Sequence, residues 1–178
     1  ISVAADKFED ADENKNLAGA LATAITIDTA GPTISSVTSA TLDGTYGPGQ
    51  NITLILELSE SVTVDTTQGL PQLVLNTTPI RGASFVSAAT NQLVFIYTVQ
   101  EGDASSDLDV SALSLNGAVI EDAAGNAASF SFSGELAAAA AIVIDTTAPN
   151  APVVVAQTTN STPPTITGTN SALATDEV

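Results

Sequence analysis

The sequence predicts an all-β chain: an antiparallel β-sandwich of about seven strands, set in a tandem array. Three observations predict it. Thr, Ser, Val and Ala dominate the small and polar positions, which favours strands and turns over helices. Apolar and polar residues alternate over short segments, and Gly, Pro, Asp and Asn separate those segments about every ten residues. A block of sequence also recurs at a spacing too long for a solenoid of short units.

The elements follow in order. Thr33–Ala40 reads as a first strand, closed by Asp43-Gly44 and Gly47-Pro48-Gly49. Ile52, Leu54, Leu56 and Leu58 alternate with Thr53, Ile55 and Glu57, a half-buried second strand. Gln72–Asn76 is a third, after Pro71, and Ala83–Ser87 a fourth. Leu93–Val99 is the most apolar, which predicts a central position. Leu113–Ile120 is read as a sixth strand and Ala138–Ile144 as the seventh. Phe85, Phe95 and Tyr97 are the expected bulky core residues, with Phe130 and Phe132 covering one end. Helix competes only in the alanine run 137–141. The earlier copy of that run is broken by Gly19 and Thr23, so loop followed by strand is expected.

The repeat sets the domain organisation. Ala24-Ile25-Thr26-Ile27-Asp28-Thr29-Ala30-Gly31-Pro32 returns as Ala141-Ile142-Val143-Ile144-Asp145-Thr146-Thr147-Ala148-Pro149. Phe8-Glu9-Asp10-Ala11-Asp12-Glu13-Asn14 returns as Ile120-Glu121-Asp122-Ala123-Ala124-Gly125-Asn126. Asp28 and Asp145 lie 117 positions apart but Asp10 and Asp122 only 112, so the later copy carries five extra residues between the landmarks. Residues 1–28 therefore read as the last strands of one module, 29–145 as a complete module, and 146–178 as the first strands of a shorter one. The apolar start at Ile1 is expected to be a cut within a longer chain, and no signal peptide is visible. Incomplete modules at both ends have unpaired strand edges, so pairing with another copy is a further expectation.

Composition excludes whole classes of function. The 178 residues contain no Cys and no His, which removes disulfides, thiolate or imidazole metal sites, a Cys nucleophile and a Ser-His-Asp triad. With 20 Asp and Glu against Lys7, Lys15 and Arg81, the formal charge is −17, so no basic patch can follow a nucleic-acid backbone. No apolar run is long enough to insert in a membrane. An apolar fraction of 44% with 13% charged residues sets the chain apart from disordered acidic tails. Paired carboxylates suggest glycoside hydrolysis, but a sugar cleft needs aromatic walls, and the chain has no Trp and only Tyr46 and Tyr97. The protein is expected not to be an enzyme. The sequons at Asn51, Asn76 and Asn160 are expected by chance in a Thr-rich chain.

Several segments together resemble the bacterial Ig-like repeats of very large secreted surface adhesins, including biofilm-associated repeat proteins. They are Pro32-Thr33-Ile34-Ser35-Ser36-Val37, Gly47-Pro48-Gly49, Leu58-Ser59-Glu60-Ser61-Val62-Thr63-Val64, Tyr97-Thr98-Val99-Gln100-Glu101-Gly102-Asp103, Leu108-Asp109-Val110, Leu113-Ser114-Leu115-Asn116-Gly117, Asp122-Ala123-Ala124-Gly125-Asn126 and the linker Asp145-Thr146-Thr147-Ala148-Pro149. The resemblance implies Ig-like sandwich modules strung outward from a bacterial cell as spacers, with neighbouring repeats as partners and calcium at the poles.

Calcium takes six to eight oxygen ligands and is the one cofactor this side-chain inventory suits. Ig-like connectivity places Asp28, Glu60, Asp122 and Asn126 at one pole of the middle module, and Asp43, Glu101, Asp103 and Asp145 at the other. Either linker acid, Asp28 or Asp145, would then lie between modules. Asp10-x-Asp12-x-Asn14 copies the first three ligand positions of an EF-hand, but Lys15 replaces its Gly and Leu21 falls where its Glu should be. A half-site and a plain loop both remain open there. Turn and cap chemistry is the competing account of every one of these acids. Two other functions remain open: a module binding glycan or another cell surface through loops such as 65–69 or 126–135, and a subunit of a surface layer or filament.

Overall fold

Alternation builds the largest sheet. Ile52, Leu54, Leu56 and Leu58 are buried and the residues between them half-buried, the period that a pleated strand imposes. The computed structural model describes residues 2–3, 5, 9–15, 19–20, 26–154 and 168–169, and divides into two compact units, Ile1–Ala30 and Gly31–Val178. In the first unit β1 (Ser2–Val3) pairs antiparallel with β2 (Gly19–Ala20). The second unit runs in order through β3 (Ile34–Ser39), β4 (Gly44–Tyr46), β5 (Asn51–Leu58), β6 (Thr63–Asp65), β7 (Gln72–Leu75) and β8 (Gly82–Ala89). It continues through β9 (Gln92–Thr98), β10 (Ala104–Ser105), β11 (Val110–Ser114), β12 (Val119–Glu121), α1 (Glu135–Ala139), β13 (Ile142–Asp145), β14 (Val153–Val154) and β15 (Gly168–Thr169).

Among the described residues, the regular structure is β apart from one short helix, α1. Six antiparallel strands form a sheet in the order β11-β7-β8-β9-β5-β3, with the apolar β9 in its interior as expected. Smaller sheets, β10-β13-β4 and β12-β6, contribute to the same core. Phe95 and Tyr97 of β9 are fully buried, and Phe85 packs edge-on against Phe95 at 5.7 Å. Ile120, Leu136, Ile142 and Ile144 close the core from the other side, with Phe130 and Phe132 half-buried against it. Full burial of each such aliphatic side chain is worth about 1.5–3 kcal/mol.

Three expectations need correction. The predicted sixth strand is two strands. Asn116 and Gly117 adopt φ of 52° and 96°, and the Ala118 N–H closes the turn on Leu115 O at 2.9 Å. The chain therefore leaves β7, the partner of β11, and joins β6 through β12. The alanine run does begin as helix: Glu135–Ala139 forms one turn with Leu136 buried, and the Ala137 N–H reaches Asp109 Oδ1. Local propensity wins until Ile142 enters the sheet. Finally, the pairing is not wholly antiparallel, since β13 runs parallel to β4. The expected strand residues Ile25, Val155 and 163–167 lie outside the described residues. Among the described residues, no helix is long and apolar enough to cross a membrane.

Candidate metal centre

The centre is built on a loop that closes on itself. After β12, Asp122 Oδ1 accepts the N–H groups of Ala124 and Asn126 at 2.8 and 2.9 Å. Asp122 Oδ2 accepts Asn126 Nδ2 at 2.8 Å. The backbone repeats the closure through Asp122 N to Asn126 O and Gly125 N to Asp122 O. The turn needs a left-handed residue at its fourth position, and Gly125 supplies it at φ 86°. The Asn126 side chain, then the backbone N–H groups, hold the Asp122 carboxyl below its ordinary range. Asp122 is thus ionised and fixed in place.

The 10–14 loop is the same structure. Asp10 Oδ1 accepts the N–H groups of Asp12 and Asn14 at 2.9 and 3.0 Å, and both its oxygens accept Asn14 Nδ2. Asp10 N bonds Asn14 O, and Glu13 N bonds Asp10 O. Bridges Glu9 to Lys15 and Glu121 to Ala127 sit at matching positions. The sequence repeat is therefore a repeat of hydrogen bonds. Glu13, at φ 63°, holds the position that Gly125 holds in the other copy. The Asn14 backbone N–H, foremost among these bonds, lowers the Asp10 carboxyl. Asp10 and Asn14 are thus engaged with each other, as in a plain Asx-type loop. Asp10 and Asp12 join no group of three acids able to share an ion among the described residues.

Within the second unit, Glu60 and Asp122 bring carboxylate oxygens within 4.8 Å of each other. Asp28 precedes β3 and is exposed, Glu60 follows β5 and is half-buried, and Asp122 follows β12 and is buried. Asp28, Glu60, Asp122 and Asn126 were expected at one pole; Glu60 and Asp122 are neighbours within the second unit, Asn126 is bonded to Asp122, and Asp28 belongs to the first unit. Like charges at that separation repel by about 1 kcal/mol per pair even at the dielectric of water. An oxygen-seeking divalent cation reverses the sign of that interaction, and the donors are of the type calcium takes. These acids can hold a metal ion.

The other four acids do not gather. Asp43 Oδ1 accepts the Ala141 N–H, Asp145 Oδ1 accepts the Thr147 N–H, and Glu101 is exposed in a turn. Asp103 is wholly buried, and its carboxylate is filled by the protein. Arg81 Nε donates to Oδ1 at 2.6 Å, while the Tyr97 hydroxyl and the Gln100 N–H donate to Oδ2 at 2.6 and 2.8 Å. Burial pushes this carboxyl up, but the bonds from Tyr97, Arg81 and Gln100 outweigh it and hold it below its ordinary range. Burial, then the bond to Asp103, pushes the Tyr97 hydroxyl far up. Reading Asp103 as a pole ligand missed its real partners. Two signals were present: alternation turns Tyr97 inward, where its hydroxyl needs a partner, and Arg81 is the sole cation after Lys15. Comparison with protein-family models, curated proteins and solved structures finds no match to this chain.

Proposed function

We propose that the chain is a stretch of tandem Ig-like modules from a secreted bacterial surface adhesin, acting as a spacer whose joints are stiffened by calcium. The observation that carries this reading is the pair Glu60 and Asp122, acids on the loops after β5 and β12 whose carboxylate oxygens lie within 4.8 Å of each other. The duplicated Asp-x-x-x-Asn loop supports it, because a tandem array repeats its parts. The side-chain inventory agrees, having oxygen donors in excess and no His or Cys.

Small-angle scattering of the 178-residue chain, in calcium and then in chelator, tests the reading. Calcium is expected to narrow the distribution of molecular dimensions, with magnesium less effective because it demands a smaller, more regular shell. Identical profiles in calcium and chelator would refute the stiffening.

A further inference from the structure

The buried Asp103 cluster extends to the segment by which the chain leaves the core. Asp103 has its side chain held by Arg81, Tyr97 and Gln100, and its own N–H bonds Gln100 O at 3.1 Å. The 100–103 turn is therefore fixed from both its backbone and its carboxylate. Thr146, directly after β13, attaches to that turn twice. Its hydroxyl donates to Asp103 O at 2.9 Å and accepts the Gly102 N–H at 3.1 Å. A hydroxyl has a single proton, so using it on Asp103 O fixes how the lone pairs face Gly102. Asp145 then bends the chain onward by accepting the Thr147 N–H. The sequence repeat puts Thr29 at the position matching Thr146.

We propose that the Arg81–Asp103–Tyr97 cluster and the Thr146 hydroxyl form a clamp that fixes the direction in which the chain leaves β13, with no cation required. The Tyr97–Asp103 bond is buried and the Arg81 and Gln100 bonds to the same carboxylate are part-buried, so three bonds on one buried group make the turn a rigid base. Thr146 is half-buried on it and transmits that rigidity to residues 146–147. The clamp depends on neither the spacer reading nor calcium binding.

The test uses the full chain, which has no Cys of its own. Spin labels at Ser87→Cys on β8 and at Asn150→Cys report the exit direction by pulsed electron-paramagnetic-resonance distances. The parent and Thr146→Ser are expected to give one narrow distance distribution, and Thr146→Val a broad one. Amide exchange at Gly102 should rise about tenfold in Thr146→Val, the size of one lost hydrogen bond, while β5 and β9 amides stay unchanged. Tyr97→Phe, which removes one bond to Asp103, should broaden the distribution less. An unchanged width in Thr146→Val would overturn the clamp, as would a width set by chelator and not by Thr146. An unchanged width in Tyr97→Phe, with Thr146→Val broad, would overturn the cluster's part in it.

Discussion

Asp103 and Asp122 are both buried acids, yet they differ in what completes them. Asp103 is completed by the protein, through a guanidinium, a phenol and a backbone N–H. Truncating Asp103→Ala leaves the buried Tyr97 hydroxyl without its acceptor and removes the partner of Arg81 and of the Gln100 N–H, at a cost of about 3 kcal/mol. Urea unfolding is expected to show that loss, whereas Asp43→Ala, whose carboxylate is exposed, should change stability much less. Asp122 is also hydrogen-bonded but shares its surroundings with Glu60. Glu60→Gln should therefore weaken calcium binding by isothermal titration while leaving the 122–126 loop intact. Equal affinity in the parent and in Glu60→Gln would show that this group is not the binding site. The nearness of Glu60 and Asp122 was expected from Ig-like connectivity, which sets the loop after the second strand beside the loop after the sixth. The role of Asp103 was legible only indirectly, through an inward Tyr97 whose hydroxyl needs a partner and a lone Arg81, because the turn-forming Gly-Asp pair itself does not show which way its carboxylate points.

The elements that were legible are those with strict period and length. β5 and β9 follow the expected bounds within a residue, since eight and seven residues of alternation admit one register. β4, β6 and β10 were missed because two or three residues show no period. The break between β11 and β12 was present as Asn116-Gly117, a pair suited to left-handed φ, but the apolar residues on either side read as one strand. Gly117 also faces Gln68, whose carbonyl would lie 2.7 Å from an added Cβ. Gly117→Ala should thus cost about 1–3 kcal/mol through backbone strain. Faster exchange confined to β6 and β12 would place the damage there. If the variant is as stable as the parent, the turn does not determine the split. The duplicated loop gives the converse case: Glu13→Gly relieves a left-handed non-glycine residue and should stabilise that loop by about 1 kcal/mol.

Across the whole molecule, acid and cation act on the same charges. The Asp10, Asp65, Asp103, Asp122 and Glu135 carboxyls are all held below their ordinary values in the folded state. Their contribution is fully present above the unfolded carboxylate range, about pH 4–4.5, and is lost as pH falls through the lower folded values. Stability is thus expected to drop below about pH 4; a rise there in urea titrations would contradict the hydrogen bonds described. Near neutral pH the opposing factor is self-repulsion, since a net charge of −17 penalises compactness. Any salt screens that repulsion, but only a specifically bound ion adds mass-action stabilisation. At free calcium a hundredfold above its dissociation constant, that addition is about 2.7 kcal/mol, or about 5–10 °C in melting temperature for a chain of this size. The increase should exceed that in sodium chloride of equal ionic strength and should shrink in Glu60→Gln. If sodium chloride matched calcium in the parent, the −17 charge would be screened without any ion being bound, and the acids at 60 and 122 would be a solvated pair and not a metal centre.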